Sequence, residues 1–319
     1  MIIINRSFLC LFLNICIFLI LSSLFSRGIF TEEMDGFYLQ MINLDFFSFD
    51  VLSFNHIIRY IVVFPFVYFL DFIQIQHFIL IIYFIPLFFM QIPNKFKYLS
   101  ILILYFSIFF SYRTVLVMES ILILIMYIKF KSARQKKYLF FSLFLSLLSS
   151  GTFLVWVLIL YFFRKNIISN KKILKYFNIL ILFLFIVLLG PILHKILFFI
   201  NPQLFGSATS VTIDNLLNIS FDDFQILFSN IFERSIIYEA IINNDLIRLG
   251  ICFIMLFFTS ILLFAQRNKL AFILFIFYFF GLLFEGLILY SLLFVTSILF
   301  LDYLLRNFKS WIINCQKKY

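Results

Sequence analysis

From Phe8 to Ser26 the chain reads FLCLFLNICIFLILSSLFS, almost unbroken hydrocarbon, and similar stretches recur along its length. A helix rises about 1.5 Å per residue, so about 20 apolar residues cross the roughly 30 Å hydrocarbon core of a bilayer. The clearest further candidates are Ile57–Ile73, Tyr98–Ser111, Thr114–Tyr127, Phe177–Leu193, Leu249–Ala265, Leu270–Phe284 and Leu287–Leu304. Two stretches are irregular: Phe78–Ile92 contains Pro86 and precedes Pro93, and Tyr138–Phe163 is interrupted by Ser149-Ser150-Gly151-Thr152. Hydrophobic residues supply 64% of the chain, against roughly 45–50% in ordinary domains, and Phe alone occupies 52 of 319 positions. One soluble core of this length cannot hide so much apolar surface. The expectation is an all-α fold, a polytopic transmembrane helix bundle forming a single integral membrane domain over residues 1–319. It would have about ten membrane segments, with short hairpin or re-entrant elements and one large external loop. An outer-membrane barrel does not fit, because the runs are continuous and do not alternate.

The charge balance is 25 Lys+Arg against 15 Asp+Glu. In a soluble chain that excess would suggest a polyanion, but here the basic residues sit in short loops between apolar runs, where they orient helices. No nucleic-acid partner is expected. One cluster is Lys129, Lys131, Arg134, Lys136 and Lys137; another is Arg164, Lys165, Lys171, Lys172 and Lys175. Placing these inside, with Arg267, Lys269 and the basic tail, makes Tyr138–Phe163 enter and return as a hairpin turning at Ser149–Thr152. Residues 201–248, acidic and poor in Lys, then form an external loop. Residues 27–56 are external if Phe78–Ile92 is re-entrant and returns to the Lys95/Lys97 side. The opposite orientation, with an external N-terminus and an internal 27–56 loop, satisfies the same rule. Within the later loop, Gln225–Ile242 carries apolar positions at helical spacing and reads as an interfacial helix or a cap on the bundle.

Four cysteines (Cys10, Cys16, Cys252, Cys315) show no CxxC or Cys/His spacing, so neither a disulfide framework nor a metal site is expected. The Phe8–Ser26 run has the length of a signal peptide but no small-residue cleavage site, and reads as a retained first helix. Walker A, GxGxxG, HExxH and GxSxG patterns are all absent.

A charged side chain within hydrocarbon costs about 2.5–3.5 kcal/mol on insertion scales and needs a partner, a wet cavity or a function. Glu119 lies six residues after Arg113, about 9 Å deeper and about 240° around the helix, so the two do not stack. Arg113 therefore faces a loop or a ligand, or anchors the interface; Glu119 otherwise bonds to a neighbouring helix. Arg59 opens a span beside His56, and Asp35 lies just outside the first span; ordinary solvation and snorkelling compete with a catalytic role for both. His194 follows Gly190-Pro191 at a span end, where a helix kink is the alternative reading. Asp71 and Asp302 read as structural.

On these residues the chain resembles a Wzy-type polymerase of bacterial O-antigen or capsular repeat units. The resemblance spans most of the length and is most specific at Ser111-Tyr112-Arg113-Thr114 opening a span, followed by the basic loop and then Leu148-Ser149-Ser150-Gly151-Thr152. The chain is shorter than many members and has one developed late loop where the family often has two. The resemblance implies a multi-pass protein of the bacterial inner membrane that polymerises undecaprenyl-diphosphate-linked oligosaccharide units without cofactor, metal or nucleotide. It implies Arg59, Arg113 and Arg234 as holders of the diphosphate, and Asp35, His194 or Glu239 as the group that deprotonates the acceptor hydroxyl. Its partners would be the lipid-linked glycan, membrane lipid and a chain-length regulator. The alternatives are a polyprenyl-phosphate-sugar glycosyltransferase of the GT-C fold, with Asp35 as base, and a lipid-linked glycan flippase or other transporter.

Overall fold

The computed structural model describes residues 12–17, 19–20, 61, 85–86, 89–93, 96–97, 112–167, 172, 174–184, 186, 236–266, 269–283, 292 and 295–307. Among them the regular structure is entirely helical, with no strand, as the apolar runs demand. The chain divides into two compact units, Met1–Trp156 and Val157–Tyr319.

In the first unit, helix α1 (Tyr112–Lys129) is followed by a single 3-10 turn (Lys131–Ala133) and helix α2 (Lys136–Ser146). Helix α3 (Ser150–Ile167) begins in this unit and ends in the next. From Thr114 to Met126 every α1 residue is buried, so no face of that stretch meets solvent. A helix apolar on all sides belongs at the centre of a bundle. Its last turn is closed by the loop that follows: Arg134 donates from Nη2 to the Ile128 carbonyl (3.0 Å) and from Nε to that of Tyr127 (3.4 Å). A guanidinium there satisfies carbonyls that the helix leaves open and meets the negative end of its dipole.

Residues 89–93 and Phe96 pack on this basic loop. Ser132 donates to the Gln91 carbonyl (2.7 Å), Tyr138 to that of Phe89 (2.9 Å), and the Lys129 ammonium lies 4.8 Å from the Phe96 ring centroid. The chain leaves its helical path at Met90, before Pro93, as a residue ahead of proline is expected to do. The end of the irregular Phe78–Ile92 stretch thus lies beside the Lys129–Lys137 cluster.

The second irregular stretch is two helices. The sequence suggests a turn at Ser149–Thr152, but α2 ends at Ser146 and α3 starts at Ser150. Ser149 is the reason. Its carbonyl accepts the Phe153 N–H (2.9 Å) and its Oγ faces the Thr152 N–H (3.5 Å), which makes it the N-cap of α3 and draws Gly151 and Thr152 into the first turn.

In the second unit, helix α4 (Ile236–Ile242) joins helix α5 (Leu246–Gln266) through a tight turn. Asn244 takes a positive φ of 49° and the Asp245 N–H reaches back to the Ala240 carbonyl (2.9 Å), a left-handed cap of the kind asparagine tolerates. Helix α6 (Lys269–Leu283) returns along α5, tied to it by the Tyr278 hydroxyl, which donates to the Cys252 carbonyl. Phe258 stacks on Phe300 at 4.3 Å, and Asp302, buried, pairs with Arg306 one turn later at 2.7 Å. The structural reading of Asp302 fits that geometry.

Over its described residues, no helix is long and apolar enough to cross a membrane. The reasons differ between helices. α1 carries Arg113, Glu119 and Lys129; α3 ends in Arg164 and Lys165; and the 15 residues of α6 span only about 22 Å. α5 has 21 residues, but side chains within it, Arg248 among them, lie outside the description.

Candidate functional site

The register of α1, α2 and α3 is set by three hydrogen bonds among buried side chains. Ser120 donates from Oγ to the Ser142 carbonyl and Ser142 donates from Oγ to the Ser120 carbonyl, each at 2.7 Å. Trp156 then donates from Nε1 to Ser142 Oγ, also at 2.7 Å. Serine is small enough to let two helix backbones approach, and its hydroxyl bonds across the gap. Ser120 and Ser142 lie equally far along the chain from Lys131, and Ser142 and Trp156 equally far from Ser149. The α1–α2 pairing is therefore an antiparallel hairpin, and the indole of Trp156 reaches across the break from α3 to α2.

That register places the backbone of Arg113, in the first turn of α1, level with Ser149 at the break between α2 and α3. The basic Lys129–Lys137 loop lies at the other end of α1, about 24 Å away at 1.5 Å per residue. The two parts of the sequence that carry the resemblance, Arg113 and the Ser149–Thr152 break, thus lie toward the same end of the α1–α2 hairpin. The side chain of Arg113 lies outside the description.

The break itself is buried. Leu148, Ser149 and Thr152 have no solvent exposure, and Phe153 has 4%. Loops ordinarily run over the surface because their backbone polar groups need water. Here the turn closes its own bonds: the Leu147 N–H to the carbonyls of Leu143 and Phe144, Leu148 to Leu145, and Ser149 to Ser146. Two buried side-chain oxygens of the first unit are not satisfied. Glu119 Oε1 and Thr152 Oγ1 are buried and have no hydrogen-bond partner. The sequence offers a bond to a neighbouring helix as the structural account of Glu119; Oε1 makes none.

The other candidates are not brought together. Glu239 lies on α4, its side chain outside the description, and Asp35, Arg59, His194 and Arg234 all fall outside the described residues. No cluster of His, Cys, Asp or Glu able to hold a metal ion occurs among the described residues. Sequence reasoning did not single out Ser142 or Trp156. The interruption at Ser149–Thr152 was visible, but serines inside an apolar run give no signal of which helix they face.

No protein-family model, curated protein or solved structure matches the chain.

Proposed function

We propose that this chain is a polytopic membrane glycosyltransferase that polymerises undecaprenyl-diphosphate-linked oligosaccharide units into a bacterial surface polysaccharide. The observation that carries the reading is the shared level of Arg113 and the polar helix break, at the end of α1 opposite the lysine-rich loop. With the basic loop on the cytoplasmic side, Arg113 stands at the external mouth, where a lipid diphosphate would lie.

The distribution of polarity supports a lipid surround. Phe253, Phe257 and Phe264 of α5 are 68%, 60% and 78% exposed, whereas Glu119, Ser120, Ser142, Ser146 and Thr152 are buried. Proteins in water rarely leave such apolar faces open. A buried helix break also suits a re-entrant hairpin, since irregular backbone at membrane depth must be enclosed by protein or line a wet cavity.

In the proposed reaction the bond between the donor glycan's anomeric carbon and the diphosphate breaks, and a bond forms to a hydroxyl of the acceptor unit. Undecaprenyl diphosphate departs with the electron pair, and the hydroxyl proton passes to Asp35, His194 or Glu239. Arg113, with Arg59 and Arg234, would stabilise the charge that develops on the leaving diphosphate.

Deletion of the gene should leave lipid A carrying a single repeat unit and remove the long glycan ladder from a gel. A strain lacking any repeat-bearing product would instead indicate a flippase or an earlier transferase. The orientation has its own test. Single cysteines introduced at Lys131, Lys171 and Lys317 should react only with reagent that has crossed the membrane, and one at Asp222 should react from outside. Labelling of Asp222 from the cytoplasm would overturn the topology, and an internal Asp45 would remove Asp35 from the site.

A further inference from the structure

We propose that the outward stripe of α2 binds one anionic phospholipid, with its phosphate on Lys136 and Lys137 and an acyl chain along the apolar residues that follow. The inference rests on the membrane location proposed above and not on the polymerase chemistry.

The stripe follows from helical spacing. Phe140 lies four residues after Lys136 and three after Lys137, so the three share one face of α2. Leu143, Phe144 and the capping Leu147 continue that face turn by turn. Lys136, Lys137 and Phe140 are exposed, Phe140 by 66%, and the three that follow are partly exposed. The other side of α2 is committed to packing. Tyr138, Ser142 and Leu145 are buried, with Tyr138 donating to the Phe89 carbonyl and Ser142 to that of Ser120. From Lys136 to Leu147 the stripe runs about 16 Å, with its charge confined to one end. Half of a roughly 30 Å hydrocarbon core is about 15 Å, the depth of one leaflet.

The sign of the headgroup is set by what the chain lacks. Between Asp71 and Asp214 the one acidic residue is Glu119, which is buried in α1, about 15 Å along the helix from Lys129. Among the described residues, neither Lys136 nor Lys137 pairs with a carboxylate; the Lys137 ammonium lies 5.0 Å from the Tyr138 ring centroid. Lysines at a membrane surface attract anionic headgroups, by about fivefold in binding for each lysine. A zwitterionic headgroup carries its own cation and gains little from them. Free phosphate or an acidic protein would match the lysines but not the apolar turns beyond them.

The test uses the full-length chain in neutral detergent micelles at fixed ionic strength, with phosphatidylglycerol or phosphatidylcholine titrated in and bound lipid counted by native mass spectrometry. Wild type should retain phosphatidylglycerol about 25-fold more tightly than phosphatidylcholine. Lys136→Gln with Lys137→Gln should remove that preference. Lys172→Gln with Lys175→Gln loses the same charge from the second basic cluster and should keep it. If the first double variant does not accumulate, Lys136→Gln alone decides, with an expected loss of about fivefold. Equal retention of the two lipids by wild type would overturn the proposal. Equal losses in the two double variants would also overturn it, in favour of diffuse attraction to a basic surface. Displacement of the lipid by an equal concentration of glycerol phosphate would make this a phosphate site without use for the acyl chain. The glycan ladder and the cysteine labelling are separate readouts, so failure here is distinguishable from failure of the polymerase reading or of the topology.

Discussion

Cells carrying Arg113→Ala should make no polysaccharide ladder while still presenting single repeat units, with the protein at its normal level in the membrane. Arginine presents a planar fork of donors that matches two oxygens of a diphosphate, and lysine keeps the charge without the fork. A charge-assisted hydrogen bond contributes about 1.5–3 kcal/mol, so Arg113→Lys should slow polymerisation by roughly ten- to a hundredfold without abolishing it. Lys131→Gln is the matched control. Lys131 is also basic and is exposed, but lies in the loop at the opposite end of α1, and the ladder of its variant should be complete. The readouts are ladder length by gel and chain abundance by immunoblot. A full ladder from Arg113→Ala at normal abundance would return Arg113 to the role of an interface anchor. Loss of ladder together with loss of protein would point to folding.

Much of the helical outline was legible because apolar runs declare their own ends. The Thr114–Tyr127 run lies within α1, Leu249–Ala265 within α5, and Leu270–Phe284 covers α6 to within a residue at each end. The break between α2 and α3 was legible as a polar interruption but displaced by about two residues. Ser, Gly and Thr mark a turn in one reading and the first turn of a capped helix in another, and only the Ser149 carbonyl and hydroxyl decide between them. The site was legible by residue type alone. Arg113 could be recognised as a charge opening a span, but its level with Ser149 depends on the register between α1 and α2. That register comes from Ser120 and Ser142 bonding each other's backbone, and nothing in an apolar run distinguishes those two serines from Ser107 or Ser111. Thr152 was seen as part of a break, while its unpartnered hydroxyl follows from packing across three helices. Asp35, Arg59, His194 and Arg234 rest on sequence pattern and resemblance, with the described residues ending short of them.

If the serine–tryptophan knot sets that register, its members should differ in cost in an order fixed by which atom each leaves stranded. Ser142 Oγ both donates to the Ser120 carbonyl and accepts from the Trp156 indole. Ser142→Ala removes both bonds and leaves a buried indole N–H with no acceptor, a loss of about 1–3 kcal/mol for the stranded donor alone. Ser120→Ala removes one donor, and the Ser142 carbonyl it leaves can still take its own helix bond, so about 0.5–1.5 kcal/mol is expected. Trp156→Phe deletes the donor together with part of the ring. Combined with Ser142→Ala it should therefore cost less than the sum of the two single changes, by about 1 kcal/mol, because the N–H that Ser142→Ala strands is no longer there. Thermal unfolding of the full-length chain in nanodiscs measures all four variants, with midpoints falling by about 2–4 °C per kcal/mol for a chain of this size. Strict additivity would mean that Trp156 and Ser142 do not share a bond. Equal costs for Ser120→Ala and Ser142→Ala would mean that the indole finds another acceptor, and the level of Arg113 with Ser149 would then have to be established by cross-linking the two ends of the hairpin.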